Sequence, residues 1–416
     1  MIEKLREIIR IERTDDIPLL WEQLKAMGVI RLVDKHFPRH ANWEGELSAG
    51  EVIAVWLCFV LSCGNHRVSH VEGWAAQHLH LLEALTGKAV RALDFSDDRL
   101  ASLLTQLGDD ERWPAFEREL SGQLLRVYDL SAQRVRVDAT TGKTYAEVSE
   151  GGLFQFGPSK DHRPDLAPVK LSMATLDPLG LPLSTTVVAG NTADDPLSAP
   201  EISCVRATTG QRGLTYVGDK KMAALQTRAF IASGGDDSVC PLPLKQLSER
   251  ERERLIAEFF ARQHEPQLVI QPETEAAIGI GFEIALERQT QLAGQPIQWT
   301  ERVLAFSSFE RAQSEAKKLD EAIAGAQSEL LQLNEGKQGK KRLTAEQPAE
   351  AGAQIVKRHG VEGLVNWQIQ TTLKERPVRA WKASPARTQC EQQHEVRVEL
   401  DPEARLRKQE QLGWSF

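Results

Sequence analysis

The sequence predicts an α/β fold, with a sheet-bearing core set between an all-helical N-terminal domain and a mixed α+β segment. Three observations carry this. Apolar residues recur at helical spacing through residues 1–130, alternation at period two begins near residue 131, and beyond residue 245 the chain turns charged, with helical and strand patterns intermixed. At 416 residues the chain exceeds what one core accommodates, so three domains are expected: 1–130, 131–244 and 245–416.

In the first domain, "IPLLWEQLKAMGVIRLVDKHF" places Leu20, Leu24, Met27, Leu32 and Val33 at roughly helical spacing. "LSAGEVIAVWLCFVLSCG" opens with Ser48 as a cap, and "FSDDRLASLLTQLG" sets Ser96 before two acids and an apolar face. Such helical units bind DNA through a helix in the groove or serve as dimerisation scaffolds. No helix-turn-helix signature separates the two.

The second domain opens with "QRVRVDATTG", where Val135 and Val137 alternate with arginines. "VKLSMATLD" and "LPLSTTVVAGN" are two further strands around the turn "DPLG", "DDPLSAPEISCVRATTG" suits a helix, and "GLTYVGD" is a strand. Three meandering strands, a crossover helix and a fourth strand make the ribonuclease-H-like order, and a right-handed crossover lays the fourth strand parallel to the first. "KKMAALQTRAFIASGG" then reads as a helix and "SVCPLPL" as a short strand.

The third segment reads as an insertion. "SERERERLIAEFF" and "FERAQSEAKKLDEAIAGAQSELLQLNEGKQGKKR" are solvated or coiled-coil-like helices, with "NEGKQGKKR" as a loop. "QPIQWTERVLAFSS" and "HEVRVEL" read as strands.

Net charge is −8, so attraction to nucleic acid has to come from local basic patches. The five cysteines are scattered, outside metal-ligand spacing, and fit reduced thiols in the cytoplasm. The charged N-terminus lacks a signal-peptide core and no run of about 18 apolar residues occurs, so neither export nor membrane spanning is supported.

Two acids stand out by position. Asp138 ends "RVRV" and Asp219 ends "LTYVG", so both carboxylates project from one edge of the sheet, where open α/β sheets place their sites. Two hard oxygen donors on adjacent strands suit Mg²⁺ or Mn²⁺. An Asp ending a strand is equally a common turn residue.

"VDATTG", "SKDHRPDL", "GNTADDPLSAP" and "YVGDKKM", together with "WLCFVLSCGNHRVSHVEGW" and "LDFSDDRL", resemble the DDE-type transposases of bacterial insertion sequences. The resemblance lies within the insertion-sequence-4-like superfamily, is closest to the insertion sequence 1634 group, and covers most of the chain. It implies a ribonuclease-H-like catalytic core, Mg²⁺ dependence, and a homodimer working on terminal inverted repeats and target DNA. By position, Asp138 matches the family's first catalytic acid and Asp219 its second, with Asp138 implied to bridge two metal ions. Lys160, His162 and Arg163 in "SKDHRPDL", and Lys220 and Lys221 beside Asp219, are then candidate phosphate contacts; an ordinary polar hairpin accounts for the first three as well.

The family's third carboxylate is a Glu within a Tyr-x-x-Arg-x-x-x-Glu pattern, which this sequence lacks. Its three tyrosines, Tyr128, Tyr145 and Tyr216, all precede residue 220. In relatives a segment like "LGW" leads into the Glu-bearing helix, so the ending "EQLGWSF" implies a truncated, inactive transposase of low solubility. The alternative is a catalytically dead protein that occupies transposon ends or forms mixed dimers.

Overall fold

The computed structural model describes residues 11–40, 42–157, 163, 165–193, 197–243, 245–335, 346–378 and 387–416. The chain divides into two compact units, Met1–Cys240 with Gln289–Trp299, and Pro241–Arg288 with Thr300–Phe416.

The first unit begins with α1 (Ile17–Ala26), α2 (Val29–His36), α3 (Ala49–Cys63), α4 (Val71–Ala75), α5 (Leu79–Thr86), α6 (Asp97–Leu107) and α7 (Arg112–Val127). Ser48 caps α3 in a reciprocal box: its Oγ accepts from Glu51 N at 3.1 Å, and Glu51 Oε2 accepts from Ser48 N at 2.6 Å. The helix is apolar nearly all round because Val52, Ile53, Val55, Cys58 and Phe59 are buried together. No single helix among the described residues is long and apolar enough to cross a membrane. Ser96 precedes α6 as expected but makes no side-chain capping bond; the acids Asp97 and Asp98 in the first turn complement the helix dipole instead. Phe37 closes this core edge-on to Phe116, 5.6 Å between centroids.

The sheet follows: β1 (Arg134–Thr144), β2 (Ala167–Asp177), β3 (Leu181–Ala189), α8 (Ser198–Thr209), β4 (Thr215–Gly218), α9 (Leu225–Ser233) and β5 (Asp237–Val239). Strand order is β3-β2-β1-β4-β5. The first three pair antiparallel; β4 runs parallel to β1 and β5 parallel to β4. A mixed sheet of this order, with α8 as the crossover, is compatible with a ribonuclease-H-like fold. Val135, Val137, Ala174, Leu176, Leu183 and Tyr216 meet Ile202 and Val205 of α8 in one core. The last strand stops at Val239, before "CPLPL", because proline supplies no N–H to a ladder.

The second unit contains, apart from Gln289–Trp299 at the tip of the β7–β8 hairpin, α10 (Glu249–Phe260), β6 (Gln267–Ile270), β7 (Ala277–Leu292), β8 (Gln295–Ser308), α11 (Phe309–Gln332), α12 (Glu346–His359), β9 (Val365–Val378), β10 (Arg387–Leu400), α13 (Pro402–Glu410) and β11 (Trp414–Ser415). Strands β7 and β8 form a hairpin whose two-residue turn holds Ala293 at φ 49° and Gly294 at φ 79°, the left-handed pair that matches strand twist. The chain's last residues join this sheet: Trp414 pairs with Ser307, Phe416 O accepts from Leu242 N at 2.9 Å, and the Trp414 ring packs against Phe259 and Phe282. Trp414 and Phe416 are thus half-buried, packed against the cluster of Leu242, Leu255 and Phe282. Strands β9 and β10 make a separate two-stranded ribbon whose base packs on α11 and α12 through Val365, Trp367, Val396 and Val398.

A candidate metal-binding carboxylate pair

The parallel β1–β4 ladder ends with Val137 opposite Gly218, so Asp138 and Asp219 occupy the next position on each strand. Neighbouring strands lie about 4.8 Å apart, which brings the two carboxylates within reach of one cation. Asp138 is not at the end of its strand, as the sequence had implied. Strand β1 runs on to Thr144, held by β2 alone, because β2 pairs with all of β1 while β4 is only four residues long. Asp138 stands where β1 outlasts β4 and one backbone edge opens.

Alternation puts Val135 and Val137 in the core and Arg134, Arg136 and Asp138 on the exposed face. The two arginines are already engaged: Arg136 Nε donates to Asp177 Oδ1 at 2.6 Å and Arg134 Nε lies 3.3 Å from Asp177 Oδ2. Asp138 Oδ1 accepts from Ala139 N at 2.7 Å. Asp219 begins the turn after β4, its Oδ1 accepting from Lys221 N at 2.9 Å and its carbonyl from Met222 N at 3.1 Å. That turn folds tightly back on the strand. A Cβ at Gly218 would lie 2.8 Å from Met222 Sδ and 2.9 Å from Met222 Cβ, so glycine lets the buried Met222 anchor the turn that presents Asp219.

Both carboxylates are exposed, and neither forms an ion pair among the described residues. Two adjacent like charges without a counter-ion repel, and a divalent cation relieves that repulsion. Two hard oxygen donors fit Mg²⁺ or Mn²⁺, which retain waters and accept phosphate oxygens as further ligands. Among the described residues, no group of three or more His, Cys, Asp or Glu side chains forms a metal cage.

Lys160 and His162 lie outside the described residues. Arg163 is exposed and holds Asp165 through two hydrogen bonds, Nε to Oδ1 at 2.8 Å and Nη2 to Oδ2 at 2.7 Å. These bonds bring the Asp165 carboxyl down to about 2 and raise the guanidinium above its ordinary value. Arg163 also bonds the side chain of Tyr145, the residue after β1. Lys220 and Lys221 follow Asp219 in the same turn, with Lys220 exposed.

On the covered face of the sheet the structure shows polar groups the sequence did not single out. Glu201 of α8 is fully buried. Its Oε2 accepts from the Ser184 hydroxyl, Thr186 and Ser172 also bond to the carboxylate, and its Oε1 has no partner among the described residues. Burial pushes this carboxyl up against the effect of the hydroxyls. Glu117 of α7, bonded to the N–H and hydroxyl of Thr185, is raised by burial and further by Glu201. Lys170 is buried on β2 and donates to the Thr192 carbonyl, securing the loop after β3. The available signal was hydroxyls and a lysine at the inward positions of "VKLSMATL" and "LSTTVV".

No protein-family model and no curated protein matches the chain. Among solved structures it is similar to the piggyBac transposase in a synaptic complex with hairpin DNA, at 11% identity and a TM-score of 0.29. That likeness covers 70% of this chain and 61% of the other, so this chain spans less than two thirds of that transposase. It is also similar to the Mos1 transposase in a paired-end complex with the left transposon end, at 9% identity and a TM-score of 0.19, over 61% of this chain and 84% of that one. The likenesses are faint, and neither speaks for the insertion-sequence-4-like superfamily or the 1634 group; the functional reading rests on the chain's own residues.

Proposed function

We propose that the chain is a transposase of the insertion-sequence type, acting on terminal inverted repeats by metal-dependent strand cleavage and strand transfer, with Asp138 and Asp219 as metal-binding carboxylates. The observation that supports it is their placement at successive positions beyond the β1–β4 ladder, exposed and without a counter-ion among the described residues. Mg²⁺ or Mn²⁺ bound there would supply positive charge to a scissile phosphate and acidify a water. The backbone supplies the rest of the arrangement: Ala139 N and Lys221 N orient one oxygen of each carboxylate, leaving the other toward the cation. Asp177 keeps Arg134 and Arg136 from neutralising the pair, and Lys220 and Lys221 add positive charge beside Asp219 for DNA phosphates.

The test is nicking of a plasmid carrying the element's repeat ends, with calorimetric titration of Mn²⁺ alongside. Asp138→Asn is expected to lower nicking by at least about a thousandfold and to weaken Mn²⁺ binding, because members of a cooperating set do not act independently. Nicking that survives Asp138→Asn sinks the assignment. A second reading is favoured by the missing Tyr-x-x-Arg-x-x-x-Glu pattern: the chain occupies repeat ends or joins mixed dimers without cutting. Repeat-end binding with no nicking in the wild-type chain would select it.

A further inference from the structure

The second unit carries a groove of about 440 Å³, a size in the range of small-ligand clefts. One wall is a single face of α13, where Ala404, Arg407, Lys408 and Gln411 recur at helical spacing. The facing wall is the turn between α12 and β9, through Glu362, Gly363 and Leu364. Leu364 and Ala404 belong to the core below, and Asp401 N donates to the Leu364 carbonyl at 2.9 Å. Both walls are thereby fixed, and the groove between them is built rather than left by a loose loop.

Hydrogen-bond donors predominate in its lining. Lys408 is exposed and has no partner among the described residues. Arg407 meets Glu403, one turn back on the same helix, at 3.7 Å, with 65% and 85% of the two side chains' surface in water. A pair so exposed holds its guanidinium weakly. Across the groove the backbone N–H groups of Glu362 and Gly363 make no hydrogen bond among the described residues. Gly363 is at φ 75°, and successive unbonded N–H groups at a left-handed residue form a concavity that accepts anions. Against these donors the lining sets one carboxylate, Glu362. A carboxylate ligand would saturate one guanidinium fork, whereas a phosphate group has further acceptor oxygens for the ammonium and the backbone. We propose that this groove binds a phosphate group, carried by a nucleotide or by a nucleic-acid backbone. It uses neither Asp138 nor Asp219.

The test is calorimetric titration of the full chain with inorganic pyrophosphate in metal-free buffer, beside an anisotropy titration with a labelled single-stranded oligonucleotide of mixed sequence. Replacing Arg407 and Lys408 together by Ala is expected to weaken binding at least about tenfold. Arg250→Ala, which removes an exposed cation of α10 outside the groove, should leave it unchanged. Both variants should melt like wild type. Glu362→Gln is expected to tighten binding about threefold by removing the lining carboxylate, a gain that misfolding cannot produce. Pyrophosphate binding that the double variant loses assigns the groove to small phosphorylated ligands. Oligonucleotide binding that it loses, with pyrophosphate unbound by wild type, assigns the groove to a nucleic-acid backbone. The proposal falls if neither probe binds wild type, if the double variant binds as wild type does, if Arg250→Ala weakens binding as much as the double variant, or if Glu362→Gln fails to tighten it.

Discussion

At the end of β2 a single residue, Asp177, holds both Arg134 and Arg136, and neither arginine pairs with Asp138, the next residue on that face, among the described residues. On the covered face, Glu201 and Glu117 are held above the ordinary glutamate range by burial. Their folded values exceed their unfolded ones, so the folded chain holds more protons between the two. The stability they contribute is full below the ordinary range and is lost as pH rises through the raised values. Glu201→Gln carries no charge at any pH and should flatten that decline, read as a smaller loss of melting temperature between pH 5 and pH 8; an unchanged loss would place the pH sensitivity elsewhere. At Gly218 the constraint is space. Gly218→Ala forces the Asp219 turn away from Met222, with an expected loss of about 1–3 kcal/mol from overpacking and weaker Mn²⁺ binding than wild type. Equal Mn²⁺ affinity would show that the turn's position does not matter to the cation.

Elements followed the local pattern where one face of each was buried. The three-strand meander, the α8 crossover and β4 lie where alternation and turn residues place them, and α3 begins at the Ser48 box. The helical reading of residues 309–332 holds as α11, and "QPIQWTERVLAFSS" is β8. Strands β7 and β9 went unassigned. Ile280, Phe282, Ile284 and Leu286 do alternate in β7 with Gly281, Glu283 and Ala285 between them, and Val365, Trp367 and Ile369 in β9 with Asn366 and Gln368 between them. Those strands pair within long hairpins, so their partners lie beyond the short window in which periodicity is judged. "LGWSF" presented apolar residues without a visible partner, and its partner is a strand more than a hundred residues earlier, β8.

Each of the two compact units has its own core or cores. The second closes on itself: its first segment and its last meet through the Leu242–Phe416 hydrogen bond. A fragment of residues 241–416 is therefore expected to fold alone and unfold in one cooperative transition by circular dichroism; a non-cooperative melt would show that residues 289–299 require the first unit. Sequence alone determined the helical and strand periods, the order of core elements and the nomination of Asp138 and Asp219, since each is written in neighbouring residues. The tertiary structure decided that β1 outlasts β4 at Asp138, that Asp177 engages both arginines, that Glu201 is buried against the hydroxyls of β2 and β3, and that β9 and β10 pair as a ribbon of their own. These depend on which distant segments pair and how far each pairing runs, and local periodicity carries no record of that length.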